Sequence, residues 1–467
     1  MKKYIVAALG STVVLASACS DNPAAPSRDN IVAGSQQTLQ SLVTGITATD
    51  RAVMAAGNGY WIFGSVMARD IIVPTINESR WVTEFYATQP DPSDFIGGAD
   101  WTTYYQMLRA SQNLLKDPAV TTLSTAGQSV TRGFLRTLDA QTYIREVEMR
   151  DQNGAVIQGP DPTKQDPVRT KQAVLTYVSA LLDSALVDLN AGSASLPFSL
   201  PSGYSLHGDY SQTANLILFN RGLKGKAEVM RALDNGATPN LPHAAAAITA
   251  LDSALAGEPT PVTEQFLNIG PWYQYNPSAP ESRPNPLSTA VTSNYVTDNF
   301  VNSFMAGDIR AANIIPATKA TVDGFTGSNR LKITDPTNSA LQSAPLPMMR
   351  NAELILLRAQ AEIATGDLAG ATRDINATHT VEGGLAPYAT FTSSAAAIQA
   401  LLYELRYTFA TIGPQHMDAL REYGMFNLAY VTQPGIPSPG ASDALVSQLP
   451  IPQNESNARG GNVTPQP

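Results

Sequence analysis

The run from Leu346 to Thr380, taken with Leu401 to Gly424 after it, constrains the fold more than any other stretch of the chain. Between Met349 and Ile363, the residues Ala352, Ile355, Leu356, Ala359 and Ile363 recur at helical spacing and form one apolar stripe. Leu354, Leu357, Ala361 and Ala364 form a second, so this helix is apolar around much of its circumference and belongs between neighbours rather than on a surface. Pro347 stands where such a helix can begin, because its missing N–H falls among donors that have no intrahelical partner. Gly366-Asp367 supplies the stop and the turn, and a second amphipathic helix runs from Leu368 to about Ala377. Two helices joined by so tight a turn, with alanines where they approach, make an αα-hairpin of the tetratricopeptide type. Further helices are expected from about Ser394 to Ala410 and from Gln415 to Tyr423.

The chain has 467 residues, of which 43% are apolar and 15% charged, enough for a large core and more than one ordinary domain needs. Its net charge of −9 and the lack of a dense Lys/Arg run exclude nucleic acid as a partner, since phosphate binding needs a basic surface. Neutral ligands fit better.

At the N-terminus Lys2-Lys3 precedes an apolar run from Tyr4 to about Ala16, the pattern of a secretory signal over residues 1–18. The single cysteine, Cys19, follows Leu15-Ala16-Ser17-Ala18 directly. Two readings stand side by side: an ordinary small-residue cleavage site, or a lipobox in which Cys19 is acylated and anchors the chain. Ser20 to Asn30, with Pro23 and Pro26, reads as a tether, making 19–30 a lipidated N-terminus and linker.

Helical periodicity marks Ile31 to about Met67, Gly127 to Glu148, Lys171 to Leu189, Asn215 to Asn235 and His243 to Ala256. Asp100 or a neighbour is expected to cap a helix carrying Trp101, Tyr105, Leu108 and Leu115 on one face. Trp101, spaced with leucines, reads as core. Residues 69–98 leave this frame at Pro74, Pro90 and Pro92. Residues 257–345 do so at greater length, with dense proline and glycine, and are expected as an irregular insertion between helical parts at 31–256 and 346–467.

Three motifs carry a family resemblance. Arg350-x-Ala352-Glu353-x-x-Leu356-x-x-Ala359-Gln360-Ala361 with Gly366-Asp367, Ala371 and Ile375-Asn376 is the first. Glu404-x-Arg406-x-x-Phe409, Gly413 and Asp418-x-x-Arg421-x-x-Gly424 form the second, and Ile451-Pro452-Gln453-x-Glu455 the third. In order and spacing they resemble the signature of the SusD/RagB family of surface nutrient-binding lipoproteins, with Gln360, Thr378-His379, Ile412 and Gln415 departing from the family's usual residues. The resemblance implies a mainly α fold, a tetratricopeptide-like scaffold of helical pairs with long loop insertions, over 31–467. It further implies a non-catalytic receptor without cofactor, lipid-anchored at the outer membrane and facing the cell exterior. Such a receptor captures glycan and passes it to a SusC-like TonB-dependent transporter. A RagB-like peptide receptor, an interaction scaffold and a surface hydrolase are the alternatives.

Two loop clusters are candidate ligand surfaces. In Pro271-Trp272-Tyr273-Gln274-Tyr275-Asn276-Pro277, Trp272, Tyr273 and Tyr275 offer faces on which sugar rings stack, while Gln274 and Asn276 offer amides for hydroxyls. The second is Arg80, Trp81 and Tyr86. In each, the aromatics either meet ligand or pin the loop onto the helical frame. His207, His243, His379 and His416 show no metal-ligand spacing, and no nucleophile or phosphate-loop motif occurs. Glu404, Asp418 and Glu422 are expected to pair with Arg406 and Arg421 between helices rather than to act as a hydrolytic carboxylate pair.

Overall fold

The computed structural model describes residues 35–54, 59–75, 77–98, 100–279, 282–289, 294–322, 324–427 and 445–467; the export signal, Cys19 and the tether lie outside them. Helices dominate. The longer ones in chain order are α1 (Gln36–Met54), α2 (Tyr60–Met67), α3 (Trp101–Leu114), α4 (Thr125–Arg150), α5 (Lys171–Asn190) and α6 (Thr213–Ala232). They continue with α7 (Leu241–Ala254), α8 (Asn351–Thr365), α9 (Leu368–Val381), α10 (Ser394–Thr408) and α11 (Gln415–Glu422). Their ends are written locally. Side chains of Ser124, Thr170, Asp367 and Ser393 accept from the N–H groups of Gly127, Ala173, Gly370 and Ala396, which have no partner within their helices. Gly366 takes the left-handed conformation (φ 84°) that ends α8.

Neighbouring helices pack as pairs: α4 on α5, α6 on α7, α8 on α9, with α8 also against α6 and α7. Gly225 lets α6 and α7 close, since a Cβ there would collide with Leu251. Every residue of α8 from Asn351 to Ile363 is buried, as its double stripe requires. Lys226 of α6 bridges Glu148 of α4 and Glu353 of α8, the latter at 2.9 Å, and thereby ties three helices. Breaking such a buried pair strands a charge in low dielectric.

Several expectations are corrected. Pro347 does not start α8: it lies in a two-residue strand paired with Trp272-Tyr273, and Arg350 is still extended before Asn351 opens the helix. The fixed φ of proline suits extended backbone as well as a first helical turn. Asp100 stands at the start of α3 but is left-handed (φ 59°), and its side chain caps nothing. Glu404 pairs with Arg310 of the insertion (2.8 Å) and with His379 of α9 (2.7 Å), not with Arg406, which reaches Asp70 (2.6 Å). Asp418 does meet Arg421, at 3.2 Å. Glu422 accepts from the Gln360 amide at 2.8 Å, so an acid in place of Gln360 would set two carboxyls face to face.

The 257–345 region is short of helix, as expected, but it contains sheet. Strands β5 (Tyr295–Val296), β6 (Ile314–Val322) and β7 (Phe325–Leu331) join β1 (Ile71–Ile72) in an antiparallel sheet of order β1-β5-β7-β6. The β6–β7 ladder slips between Pro316 and Ala320, where proline has no N–H to donate. Shorter pairs are β2 (Ala155–Val156) with β3 (Val168–Arg169), and β4 (Trp272–Tyr273) with β8 (Leu346–Pro347). The apolar interior falls into two main clusters, one filling the helical pairs and one joining α2, the 71–96 excursion and the insertion.

Candidate ligand-binding cleft

The aromatic residues expected in ligand-facing loops mostly pin those loops to the frame. Trp81 is 5% exposed and packs against Phe63, Phe85 and Phe95; Tyr86 is fully buried against Phe325, its hydroxyl donating to Ile71 O. Tyr273 and Tyr275 set their edges against Trp61, and the Tyr273 hydroxyl reaches Asp50 and Arg145. These four are corrected to core. The physical reason is α2, whose eight residues Tyr60-Trp-Ile-Phe-Gly-Ser-Val-Met are all buried and need an apolar cover to which these loops contribute beside α11 and α4.

Trp272 is half-buried, tilted over His207 at 4.9 Å, with its indole N–H donating to Asn268 O. The Gln274 side-chain oxygen accepts from Ser202, and that of exposed Asn276 from Ser278 N–H. Arg80 is held by Glu78 at 2.6 Å and Asp94 at 3.1 Å and lies over Phe95. Trp272, Gln274, Asn276 and Arg80 line neither the aromatic cleft nor the polar cleft described below.

An aromatic cleft of about 520 Å³ lies elsewhere, between α10, the loop after α9 and the segment after Thr297. Tyr403 and Tyr407, one turn apart on α10, have ring centroids 4.6 Å apart; Tyr388 and Phe391 face them from the loop, 5.3 Å from one another. Tyr388, Phe391 and Tyr403 are partly exposed. Hydrogen bonds fix the rings. The Tyr403 hydroxyl donates to Asp308 (2.7 Å) and accepts from Met305 N–H (2.8 Å), and the Tyr407 hydroxyl donates to Phe300 O (2.9 Å). Tyr388 stacks on His379 at 4.0 Å. Burial pushes all three phenols upward, so they stay protonated at neutral pH.

Asn299, Ser303, Gln399, Arg406 and His416 supply polar groups among these rings. Asp70 accepts from Arg406 Nε (2.6 Å) and lies 2.7 Å from His416 Nδ1. Burial works to raise the Asp70 carboxyl, but His416 and Arg406 outweigh it and hold it below the usual range. His416 Nε2 is buried without a hydrogen-bond partner among the described residues, so it is a polar atom awaiting one. Fixed apolar faces interspersed with amide, hydroxyl and imidazole groups suit a flat ligand bearing hydroxyls. Sequence reading missed these rings because they stand on or beside frame helices; the one signal was Tyr403-x-x-x-Tyr407, an i,i+4 aromatic pair. Among the described residues, no group of three or more His, Cys, Asp or Glu is placed to hold a metal ion.

No family profile matches the sequence, and no curated protein matches it. Solved structures do. A SusD superfamily protein from Parabacteroides distasonis superposes with a TM-score of 0.67 at 13% identity, over 91% of this chain and 98% of that one. A SusD-like carbohydrate binding protein from Bacteroides vulgatus gives 0.61 at 15% identity, over 82% and 83%. A third structure, determined with xylogluco-oligosaccharide, gives 0.60 at 15%, over 84% and 85%. On this likeness the chain has the fold of the SusD superfamily.

Proposed function

We propose that this protein is a non-catalytic, SusD/RagB-type surface receptor that binds glycan in the Tyr388–Phe391–Tyr403–Tyr407 cleft and delivers it to a SusC-like TonB-dependent transporter. The observation that carries the reading is the cleft itself: hydroxyl-tethered rings beside Asn299, Gln399 and the unpaired Nε2 of His416. Sugar rings present C–H faces to aromatics and hydroxyls to such polar groups, and rings already fixed lose little entropy on binding. The likeness in fold to a structure determined with xylogluco-oligosaccharide supports the same class of ligand. Modest affinity built from stacking suits hand-over, because release stays fast. Anchoring at the outer membrane through acylated Cys19 completes the proposal.

The test is calorimetric titration of protein beginning at Ser20 with a panel of neutral oligosaccharides and oligopeptides. Saturable glycan binding that weakens in Tyr403→Ala supports the reading. Binding of oligopeptides alone moves it to a peptide receptor, and turnover of a bound glycan refutes the non-catalytic role. For the anchor, detergent-phase partitioning of the full chain should vanish in Cys19→Ala, and its persistence would refute acylation.

A further inference from the structure

A second cleft, of about 710 Å³, opens between α3, the loop of residues 157–167 and the short C-terminal helix Gln453–Ala458. It shares no lining residue with the aromatic cleft. Its apolar side is Trp101 and Tyr105, with ring centroids 4.6 Å apart. Trp101 is almost wholly buried, held by Arg150 above its ring and by an indole N–H to Glu455 at 3.4 Å. The pair is therefore a wall of the cleft more than a stacking platform, and the recognition chemistry falls to the polar groups around it.

Two observations specify that chemistry. Arg109 of α3, partly exposed, forms no ion pair among the described residues. Its Nη1 donates to Gln112 Oε1 at 2.8 Å, and the Gln112 amide in turn donates to Gln158 O at 3.0 Å. The guanidinium is thus positioned through a neutral relay, with its charge uncompensated by a bonded carboxylate. Lys164, exposed on the opposing loop, likewise has no bonded acid among the described residues. The acids nearby are engaged: Glu455 with Arg459, Asp166 with Gly159 N–H (2.6 Å), and Asp161 with Thr163, though Asp161 also lies within the field of Arg109. In a chain of net charge −9, two cations without bonded acids facing one cleft call for an anion.

The second observation is Gln158 Oε1, which lines the same cleft, is buried, and has no hydrogen-bond partner among the described residues. A buried acceptor left unmade is costly, and a hydroxyl donor satisfies it. A carboxylate for Arg109 and Lys164 with a hydroxyl for Gln158, on one small molecule, is the chemistry of an acidic sugar. We infer that this cleft is a second binding site, taking a uronate residue of an acidic oligosaccharide. The inference stands on its own residues and does not require the aromatic cleft to bind glycan.

The experiment titrates the mature protein with trigalacturonate, and separately with the neutral oligosaccharide panel, in the wild type, in Arg109→Ala/Lys164→Ala and in Tyr403→Ala. The expected result is trigalacturonate binding that falls about 10-fold or more in the Arg109/Lys164 variant. It should weaken as salt rises from 50 to 500 mM and persist in Tyr403→Ala. Both substituted side chains are at least partly exposed, and an unchanged Tm verifies that the variant folds. Failure of trigalacturonate to bind, equal binding by the Arg109/Lys164 variant, or loss in Tyr403→Ala instead would each overturn the inference. Neutral-glycan binding reports on the first cleft separately, so failure of one site is distinguishable from failure of the other.

Discussion

Two sets of aromatic rings in this molecule have exchanged the roles their sequence contexts suggest. Trp81, Tyr86, Tyr273 and Tyr275 sit in proline-bracketed, irregular segments, where rings ordinarily face ligand, yet all are buried in the apolar cluster that holds α2. Tyr403 and Tyr407 sit inside a regular helix, where spacing reads as core, yet with Tyr388 and Phe391 they line an open cleft. The difference shows that regular backbone does not decide which rings meet solvent. What decides is whether a neighbouring element has an apolar surface left to cover. α2 is buried on every side and draws the irregular loops onto itself. Beside α10 the loop after α9 and the segment after Thr297 leave a gap, so Tyr403 stays partly exposed while Tyr407, buried behind it, forms the floor.

The contrast can be broken by substitution, most heavily at Trp81. Trp81→Ala empties a site enclosed by Phe63, Phe85 and Phe95 and should cost about 3–5 kcal/mol of stability, read by chemical denaturation. Glycan affinity of the folded fraction should not change. A stable Trp81→Ala protein that has lost glycan binding would return that ring to the ligand surface.

The buried frame carries a pH signature of its own. Burial pushes the Glu422 carboxyl up to about 7, against the opposing pull of Lys171 and the Gln360 hydrogen bond. Below the ordinary glutamate range both folded and unfolded chains hold this proton, and it contributes nothing. As pH rises towards 7 the unfolded chain releases it while the folded chain keeps it, so stability falls, and above 7 the loss is complete. Glu422→Gln should therefore gain on the wild type by up to about 3 kcal/mol between pH 4.5 and 8. Parallel stability curves across that range would show that Glu422 ionises freely in the folded protein.

A smaller effect is expected at the cleft. Tyr403→Ala removes one ring face and should lower neutral-glycan affinity about 10-fold, or 1.4 kcal/mol. Because Tyr403 is partly exposed, its loss should destabilise the fold less than Trp81→Ala does. Equal destabilisation by the two variants would erase the distinction between the ring sets.

The frame was legible because its signals are local. The double stripe of α8 and the Gly366-Asp367 stop and turn are read within a few residues, and the helices stand close to where periodicity puts them. The β1-β5-β7-β6 sheet was not legible: β1 pairs with β5 across more than two hundred positions, and in the local β6–β7 hairpin Pro316 interrupts the alternation of β6. Ion-pair partners were hidden for the same reason: Glu404 finds Arg310 across the insertion, while its near neighbour Arg406 turns to Asp70. The cleft combines both difficulties. Its rings come from α10 and the loop before it, its polar groups Asn299 and His416 from either side in sequence, and only the folded chain brings them together.

The most direct test compares one tyrosine and one tryptophan position with a single ligand. A neutral oligosaccharide that binds the wild type is titrated, by calorimetry under identical conditions, into Tyr403→Ala and Trp272→Ala. The account predicts that affinity falls about 10-fold in Tyr403→Ala and stays within about 2-fold in Trp272→Ala, whose ring is spent on His207 and Asn268. Loss of binding in Trp272→Ala with wild-type affinity in Tyr403→Ala would contradict it and place the ligand on the insertion.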